Sequence, residues 1–511
     1  MAGIDAAVGA NLPVSWALAP LGEVTRPGRP KVRPADFPQL PFIGMEHVEA
    51  HTMRLLGTVP AGTMKSQAVH FFPGDVLYGR LRPYLNKVFR PDFEGLCSAE
   101  FMVFPATDDL DRKYLQYFLN SSGFVSFAAH LDEGDRPRVD FTQLSGYLVP
   151  VAPLSEQRRI VAEIEKQFTR LDAAVAAFKR VQAELKQYRA SVLKAGCEGR
   201  LVPTEAEIAR AEGREYESGD QLLDRVRVEN SEGPRSQRRP SQPMQMRRAS
   251  SLPGFPEGWA WACPQTLAEP KENAICAGPF GTIFKARDFR PSGVPIIFLR
   301  HIKSGAFLTD RPGFMDSLKW SELFKPYSVF GGELLITKLG DPPGECAIYP
   351  DNAGPAMVTP DVIKMSVNRR VVDRRYLMHY LNSRTARGFA MGAAFGTTRL
   401  RVTLPIFRVL PVPLPPLAEQ QRIVAEIERR LSVIESLEAV IEMNMKRVKS
   451  FRQALLKRAF EGKLVRQDPT DEPASLPLER IQVSAAAVSA GRRPRVVSRK
   501  RSARIALDSN S

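Results

Sequence analysis

The sequence predicts an α+β chain: two mixed α/β domains separated by two long antiparallel helices packed as a coiled coil, with an internal pseudo-twofold repeat. Three observations predict it. A stretch of nearly fifty residues occurs twice without a gap, at 154–202 and 417–465, opening L-S-E-Q-R-R-I-V-A-E-I-E-K and L-A-E-Q-Q-R-I-V-A-E-I-E-R. Each copy carries apolar residues three or four positions apart. Each also follows a block of short β-like runs broken by turns, and the two blocks echo one another. At 511 residues the chain is too long for one core of usual size.

The first domain is read at 1–153. Its β-like runs are Leu40 to Gly44, Ala68 to Phe72, Val76 to Tyr78, Lys87 to Phe89 and Phe101 to Phe104, followed by a helix at Arg112 to Asn120. The turn G-R-L-R-P-Y puts Arg80, Arg82 and Tyr84 at a strand exit, and Asp135-Arg136-Pro137-Arg138 adds two more cations. Arginine contacts phosphate and reads guanine through paired hydrogen bonds, and aromatic rings stack, so these residues are candidate nucleic-acid contacts. The competing reading of any single arginine is ordinary solvated charge. His47 and His51 stand four apart with no third ligand nearby, so they are read as loop or base-contacting residues.

The first long helix is read at 154–202. Ile160, Ile164, Phe168, Leu171 and Val175 open its apolar stripe, which continues through Phe178, Val181, Leu185, Tyr188 and Val192. The mean step of roughly 3.6 residues lies between a straight helix and a coiled-coil seam. Pro153 sits where proline is tolerated, Ser155 is a candidate cap, and Gly199 is a C-terminal stop. Some forty residues at about 1.5 Å each give a rod roughly 60 Å long, whose stripe would stay wet unless a second rod covered it.

Residues 203–252 are read as a polar linker with one short helix, at Gln221 to Val228, and then a tether rich in Pro, Ser, Gln and Arg. The second domain is read at 253–416. P-E-G-W there echoes P-V-S-W, G-E-L-L-I-T-K-L echoes G-D-V-L-Y-G-R-L, and R-Y-L-M-H-Y-L-N-S echoes K-Y-L-Q-Y-F-L-N-S. Its candidate contacts are Arg300, His301 and Lys303 after the strand Ile296 to Leu299, and Lys338 at the exit of Glu333 to Leu339. Thr397, Thr398, Arg399 and Arg401 in G-T-T-R-L-R join them, the arginines matching Arg136 and Arg138. The second long helix is read at 417–466, with Ile423, Ile427, Leu431, Ile434 and Ile441 on the packing stripe together with Leu437 and Phe451. The last segment, 467–511, is read as a basic, disordered tail, although P-L-E-R-I within it echoes L-L-D-R-V.

The net charge of +16 points to a polyanionic partner. No apolar run is long enough to span a bilayer, and the first residues lack a basic region before their apolar stretch, so neither a membrane span nor a signal peptide is expected. Five scattered cysteines without a C-x-x-C pair suit a reducing cytoplasm and give no zinc site.

P-L-S-E-Q-R-R-I-V-A-E-I-E (Pro153 to Glu165), its twin at Pro416 to Glu428, and the endings L-K-A-G-C-E-G-R-L-V and L-K-R-A-F-E-G-K-L-V resemble the specificity subunit of type I restriction-modification systems. The resemblance covers about nine-tenths of the chain, leaving out the basic tail. It implies two target-recognition domains on two conserved helices, reading a bipartite double-stranded DNA target whose unread gap follows the rods. G-P-F-G-T-I-F-K also resembles a segment common in these domains, which adds Lys285 to the candidate contacts. The resemblance implies a non-catalytic chain that binds no cofactor itself. Two modification methyltransferase subunits supplying S-adenosylmethionine would flank it, joined by two restriction/translocase subunits using ATP and Mg.

A rival reading, a self-sufficient DNA adenine methyltransferase, rests on Asp341-Pro342-Pro343-Gly344. That run is close to the D-P-P-Y loop that holds a flipped adenine, but it lacks the aromatic residue, and no F-x-G-x-G loop lies upstream. A coiled-coil scaffold without nucleic acid is a third reading, and it leaves the charge and the paired blocks unexplained.

Overall fold

The computed structural model describes residues 12–131, 135–231, 254–279, 288–340, 343–392 and 401–490. The chain divides into two compact units, Met1–Phe178 with Met443–Ser511, and Lys179–Glu442. In chain order the helices that frame them are α1 (Arg112–Leu119), α2 (Leu154–Cys197), α3 (Glu205–Glu212), α4 (Gly219–Ser231), α5 (Arg374–Leu381), α6 (Leu417–Phe460) and α7 (Ser475–Ala490). The two duplicated stretches are single helices of 44 residues each.

In the first unit Ala17–Pro20 pairs with Leu148–Val151, and Val76–Gly79 lies between Val88–Phe89 and Phe101–Phe104. A five-stranded sheet has the spatial order Lys31–Val32, Ala68–Phe71, Gly95–Ser98, Pro41–Ile43, Val59–Pro60, in which Pro41–Ile43 runs parallel to Gly95–Ser98. The second unit repeats the plan. Ala260–Ala262 pairs with Val412–Leu414, Leu334–Thr337 lies between Val362–Met365 and Cys346–Ile348, and Val294–Ile297 runs parallel to Ala356–Val358. Repetition down to the parallel pair marks the units as one scaffold used twice. The strands expected in the first block are present within a residue or two. Gly95–Ser98 was not expected, because a short run buried on both faces shows no alternation.

Within each unit the start of one long helix packs beside the end of the other, so the pair is antiparallel. In the first unit Ile160, Ile164 and Phe168 of α2 share a core with Leu456, Ala459 and Phe460 of α6, with Leu171 at its edge. In the second, Ile423 and Ile427 of α6 share a core with Val192 and Cys197 of α2, with Leu431 at its edge. Ile434 and Ile441 are buried farther along, and Val175 is half-buried. Val181, Tyr188, Leu437 and Phe451, expected on the buried stripe, are exposed. A single neighbouring helix covers only a narrow seam, and a stripe stepping at about 3.6 residues drifts out of it.

The same two side chains stitch each helix start to its block. Glu156 accepts the Trp16 indole N–H at 3.0 Å, and Glu419 that of Trp259 at 2.9 Å. Gln157 accepts the backbone N–H of Asp111 at 2.8 Å and Gln420 that of Asp373 at 2.8 Å, tying the long helices to the capping residues of α1 and α5. Burial raises the pKa of both Glu156 and Glu419 above the ordinary carboxylate range. Ser155 does not cap α2: its hydroxyl donates to Asp471 instead, and the carbonyl of Pro153 accepts the first helical bond from Gln157 at 2.8 Å. Gly199 and Gly462 do end the helices, at φ 67° and 69°. A Cβ on them would strike Pro256 and Pro13 respectively, each the first residue of a P-x-x-W echo.

Two segments depart from expectation. The stretch taken for a disordered tail contains α7, whose Leu478 and Ile481 are buried in the first unit, and the backbone N–H of Ala474 donates to the Ser15 carbonyl at 3.0 Å. The linker holds the expected short helix, α4, and departs in carrying a second one, α3, and in burying Leu222, Leu223 and Val226 in the second unit, with the Gly219 N–H donating to the Gly258 carbonyl at 2.8 Å. Both segments are polar enough to read as solvated, but an apolar pair three or four positions apart suffices to seat a short helix on a ready-made core.

Candidate nucleic-acid interface

In the first unit the strand Val76–Gly79 runs out into Arg80. The backbone N–H of Arg80 donates to the carbonyl of Glu100 at 2.8 Å, and the Arg80 carbonyl accepts from Val139 at 3.0 Å. Leu81 bridges to Arg138, and the backbone N–H of Arg82 donates to the carbonyl of Pro137 at 2.7 Å. The two arginine-bearing segments, more than fifty positions apart in sequence, are thereby zipped into one ribbon. The Arg138 guanidinium is held by the Glu100 carboxylate. Arg82 sits in the left-handed region at φ 52°, which a non-glycine residue seldom adopts, and it leads into the short turn Pro83–Leu85. Arg82, Tyr84 and Arg136 are exposed, while Arg80 is half-buried.

The second unit builds the same ribbon. The backbone N–H of Lys338 donates to the carbonyl of Asp361 at 2.8 Å, the Lys338 carbonyl accepts from Val402 at 2.9 Å, and Leu339 bridges to Arg401. The Arg401 guanidinium meets Asp361 at 2.9 Å, as Arg138 meets Glu100. Arg401 therefore occupies the place in its ribbon that Arg138 occupies in the other. Lys338 is not available at the surface: it is buried, its ammonium donates to the Pro360 carbonyl at 2.8 Å, and burial lowers its pKa, helped by Arg401. Glu100 and Asp361 were missed in the sequence. Their signal was an acid one position before a strand, in A-E-F-M-V-F and again in P-D-V-I-K-M.

Of the other candidates, Arg300 is exposed, lies over the Phe298 ring at 4.1 Å and donates to the Arg311 carbonyl at 2.7 Å. Lys303 is exposed, with Glu345 at 4.0 Å. His301 is buried and structural: its Nδ1 accepts from the backbone of Phe298 at 3.2 Å and its Nε2 lies 3.0 Å from the Asp310 carbonyl. Burial first, and Arg300 second, lower its pKa, which favours the neutral ring with Nε2–H donating. His47 closes the matching turn by accepting from Gly44 at 2.9 Å, so one of its ring nitrogens serves the backbone. Lys285, Thr397, Thr398 and Arg399 lie outside the described residues, as do Asp341 and Pro342. The strands on either side of that pair, Leu334–Thr337 and Cys346–Ile348, are antiparallel partners, and Gly344 at φ 90° donates to the Thr337 carbonyl at 3.0 Å. Among the described residues no three His, Cys, Asp or Glu side chains gather as metal ligands, and no helix is long and apolar enough to cross a membrane.

A family profile described as the type I restriction modification DNA specificity domain matches residues 302–442. Among curated proteins, the Escherichia coli type I restriction enzyme EcoDI specificity subunit is 26% identical over 228 residues, covering 43% of this chain and 50% of that protein. The EcoBI specificity subunit of Escherichia coli is 22% identical over 353 residues, covering 67% of this chain and 66% of that one. The chain is similar to the specificity subunits of type I restriction-modification systems. It spans from half to two thirds of the length of these two relatives. A solved chain from work on complex assembly and conformational transition of the type I system superposes with a TM-score of 0.59 at 18% identity, covering 89% of this chain and 99% of that one. That likeness speaks to fold alone. The profile takes in the Asp361 and Arg401 ribbon and the start of α6, two of the features that the internal repeat also singles out.

Proposed function

We propose that the chain is the non-catalytic, DNA-reading specificity subunit of a type I restriction-modification assembly. Each unit reads one half of a bipartite double-stranded target, and the chain brings two modification methyltransferase subunits, with two restriction/translocase subunits, to that place in the cytoplasm. S-adenosylmethionine, ATP and Mg belong to those partners. The observation that carries this reading is the cation ribbon built twice on one scaffold, with Arg138 set by Glu100 in one unit and Arg401 set by Asp361 in the other. Around it, Arg82, Tyr84 and Arg136 in the first unit and Arg300 and Lys303 in the second are exposed and suited to phosphate and base edges. Lys285, Thr397, Thr398 and Arg399 are proposed contacts on chain position alone.

The purified full chain, incubated alone with DNA and labelled S-adenosylmethionine, is expected to transfer no methyl groups, and to direct methylation to one bipartite motif once methyltransferase subunits are added. Methyl transfer by the chain alone would favour the Asp341-Pro342-Pro343 reading and overturn this one. Methylation without sequence preference in the full assembly would favour a bare scaffold.

A further inference from the structure

In the first unit four cations converge on an open cleft of about 310 Å³: Arg90, Arg112, Lys113 and Arg158, with Asp108 and Asp111 beside them. Lys113 is paired with Glu165. Asp111 is engaged as the cap of α1, accepting from the backbone of Lys113 and Tyr114. The guanidinium groups of Arg90, Arg112 and Arg158 have no hydrogen bond or ion pair among the described residues, and Asp108 stays exposed at the rim without pairing to them. The four cations outnumber the two carboxylates of the lining, which leaves the cleft net positive and favours a further anion.

The duplicated unit supplies an internal control. Strand register places Ile348 where the first unit has Arg90: Phe89 pairs with Leu77 as Ala347 pairs with Leu335, and Gly74 donates to Pro91 as Gly332 donates to Tyr349. Arg158 is matched by Gln421 in the helix repeat. Arg112 is matched by Arg374, but that guanidinium is gripped by both oxygens of Asp351 at 2.6 Å, and Asp351 stands where the first unit has Phe93. Arg369, at the position of Thr107, lies beside the same carboxylate and lowers its pKa after Arg374 does. The second unit thus brings its own oxyanion to the guanidinium at the start of α5. The first unit has the guanidinium, two further arginines and, among the described residues, no such oxyanion.

We infer that this cleft of the first unit binds a phosphate group, carried either by the DNA backbone or by a free phosphate ion. Planar guanidinium forks match the oxygens of a phosphate, and three of them suit a dianion better than a single carboxylate. The DNA-backbone source rests on the function proposed above, whereas the free-ion source does not.

The test uses the full chain and a variant carrying Arg90→Gln, Arg112→Gln and Arg158→Gln. Thermal unfolding is followed in millimolar phosphate against chloride of equal ionic strength, and binding to a duplex without a target site is followed as salt is raised. Phosphate is expected to raise the melting temperature of the wild-type chain and not of the variant. If the duplex is the source, the variant's slope of log affinity against log salt also falls by about one. An unchanged slope with the phosphate response lost assigns the site to the free ion. Arg158→Gln alone, a residue the second helix copy already carries, is expected to weaken the phosphate response without loss of fold. Equal responses of variant and wild type in both measurements would overturn the inference. So would a variant that responds normally to phosphate and duplex but fails to assemble with its partner subunits, since a protein carboxylate would then be the ligand. Failure of the wild-type chain to bind any duplex would sink the DNA reading and leave the phosphate response to be judged by itself.

Discussion

Among individual side chains, the duplicated E-Q dipeptide shows how one motif can be built under different constraints. Glu156 and Glu419 are both buried acceptors for an indole, yet their second oxygens differ. That of Glu156 accepts from the Gln467 amide at 2.6 Å, which can rotate to present its own oxygen; that of Glu419 accepts from the backbone N–H of Glu205 at 2.8 Å, which cannot. Glu156→Gln is therefore expected to be neutral or stabilising, and Glu419→Gln to cost about 1–3 kcal/mol by setting an amide NH2 against a backbone donor. Chemical denaturation of each variant checks this. Because burial raises the folded pKa of Glu156, ionisation weighs against folding as pH rises above the ordinary carboxylate range, so any advantage of Glu156→Gln should grow through that range and then level off. His379 has the opposite sign. It is buried, and burial pushes its pKa down to about 4 from 6.5, so the unfolded chain binds more protons between those values and stability falls as pH drops through them. The full effect is on the order of 3 kcal/mol. His379→Tyr, the residue type the first unit has at Tyr117, should flatten that pH dependence, and unfolding free energies at about pH 7 and about pH 4.5, on either side of most of the window, would reveal it.

Helix α7 marks the boundary of what could be read ahead of the structure. The long helices were legible because an apolar period sustained over dozens of residues has no competing explanation, and their ends were legible because Gly199 and Gly462 must turn left-handed. α7 was legible only through the echo of L-L-D-R-V, since Leu478 and Ile481 are too few to make a pattern of their own and are buried against Trp16 and Val24 in a core assembled from the other end of the chain. His301 and Lys338 failed for a related reason: a polar side chain at a strand exit looks the same whether it faces water or closes a turn, and the deciding partners, the carbonyls of Asp310 and Pro360, come from other segments. If α7 belongs to the first unit's core, Ile481→Ala should cost about 2–4 kcal/mol there. Hydrogen exchange should show loosening of Ala17–Pro20 and Leu148–Val151, with the corresponding pair Ala260–Ala262 and Val412–Leu414 unaffected. Unchanged protection of the first pair would return the segment to the status of a tail.

Across the full chain, the two units are the same scaffold with different surfaces. The sheet pairings, the Trp–Glu ties, the Gln ties and the cation ribbon recur, while the loops around them share almost nothing, and even the ribbon's cations change from Arg80 to Lys338. A scaffold held fixed while its loops diverge is what two independent readers require. The block of the second unit is also contiguous in sequence, so residues 253–416 can be exchanged without touching Trp16, Glu156 or the helix stripes of the first. Replacing them with the matching block of one of the specificity subunits the chain resembles, with its ties through Trp259 and Asp373 included, should change one half of the methylated motif and leave the other half as it was. Mapping methylated sites by sequencing, with the methyltransferase subunits present, gives the answer directly. If both halves changed, reading would have to be a joint property of the two units, and the matched ribbons would have to be regarded as shared scaffolding with no part in choosing bases.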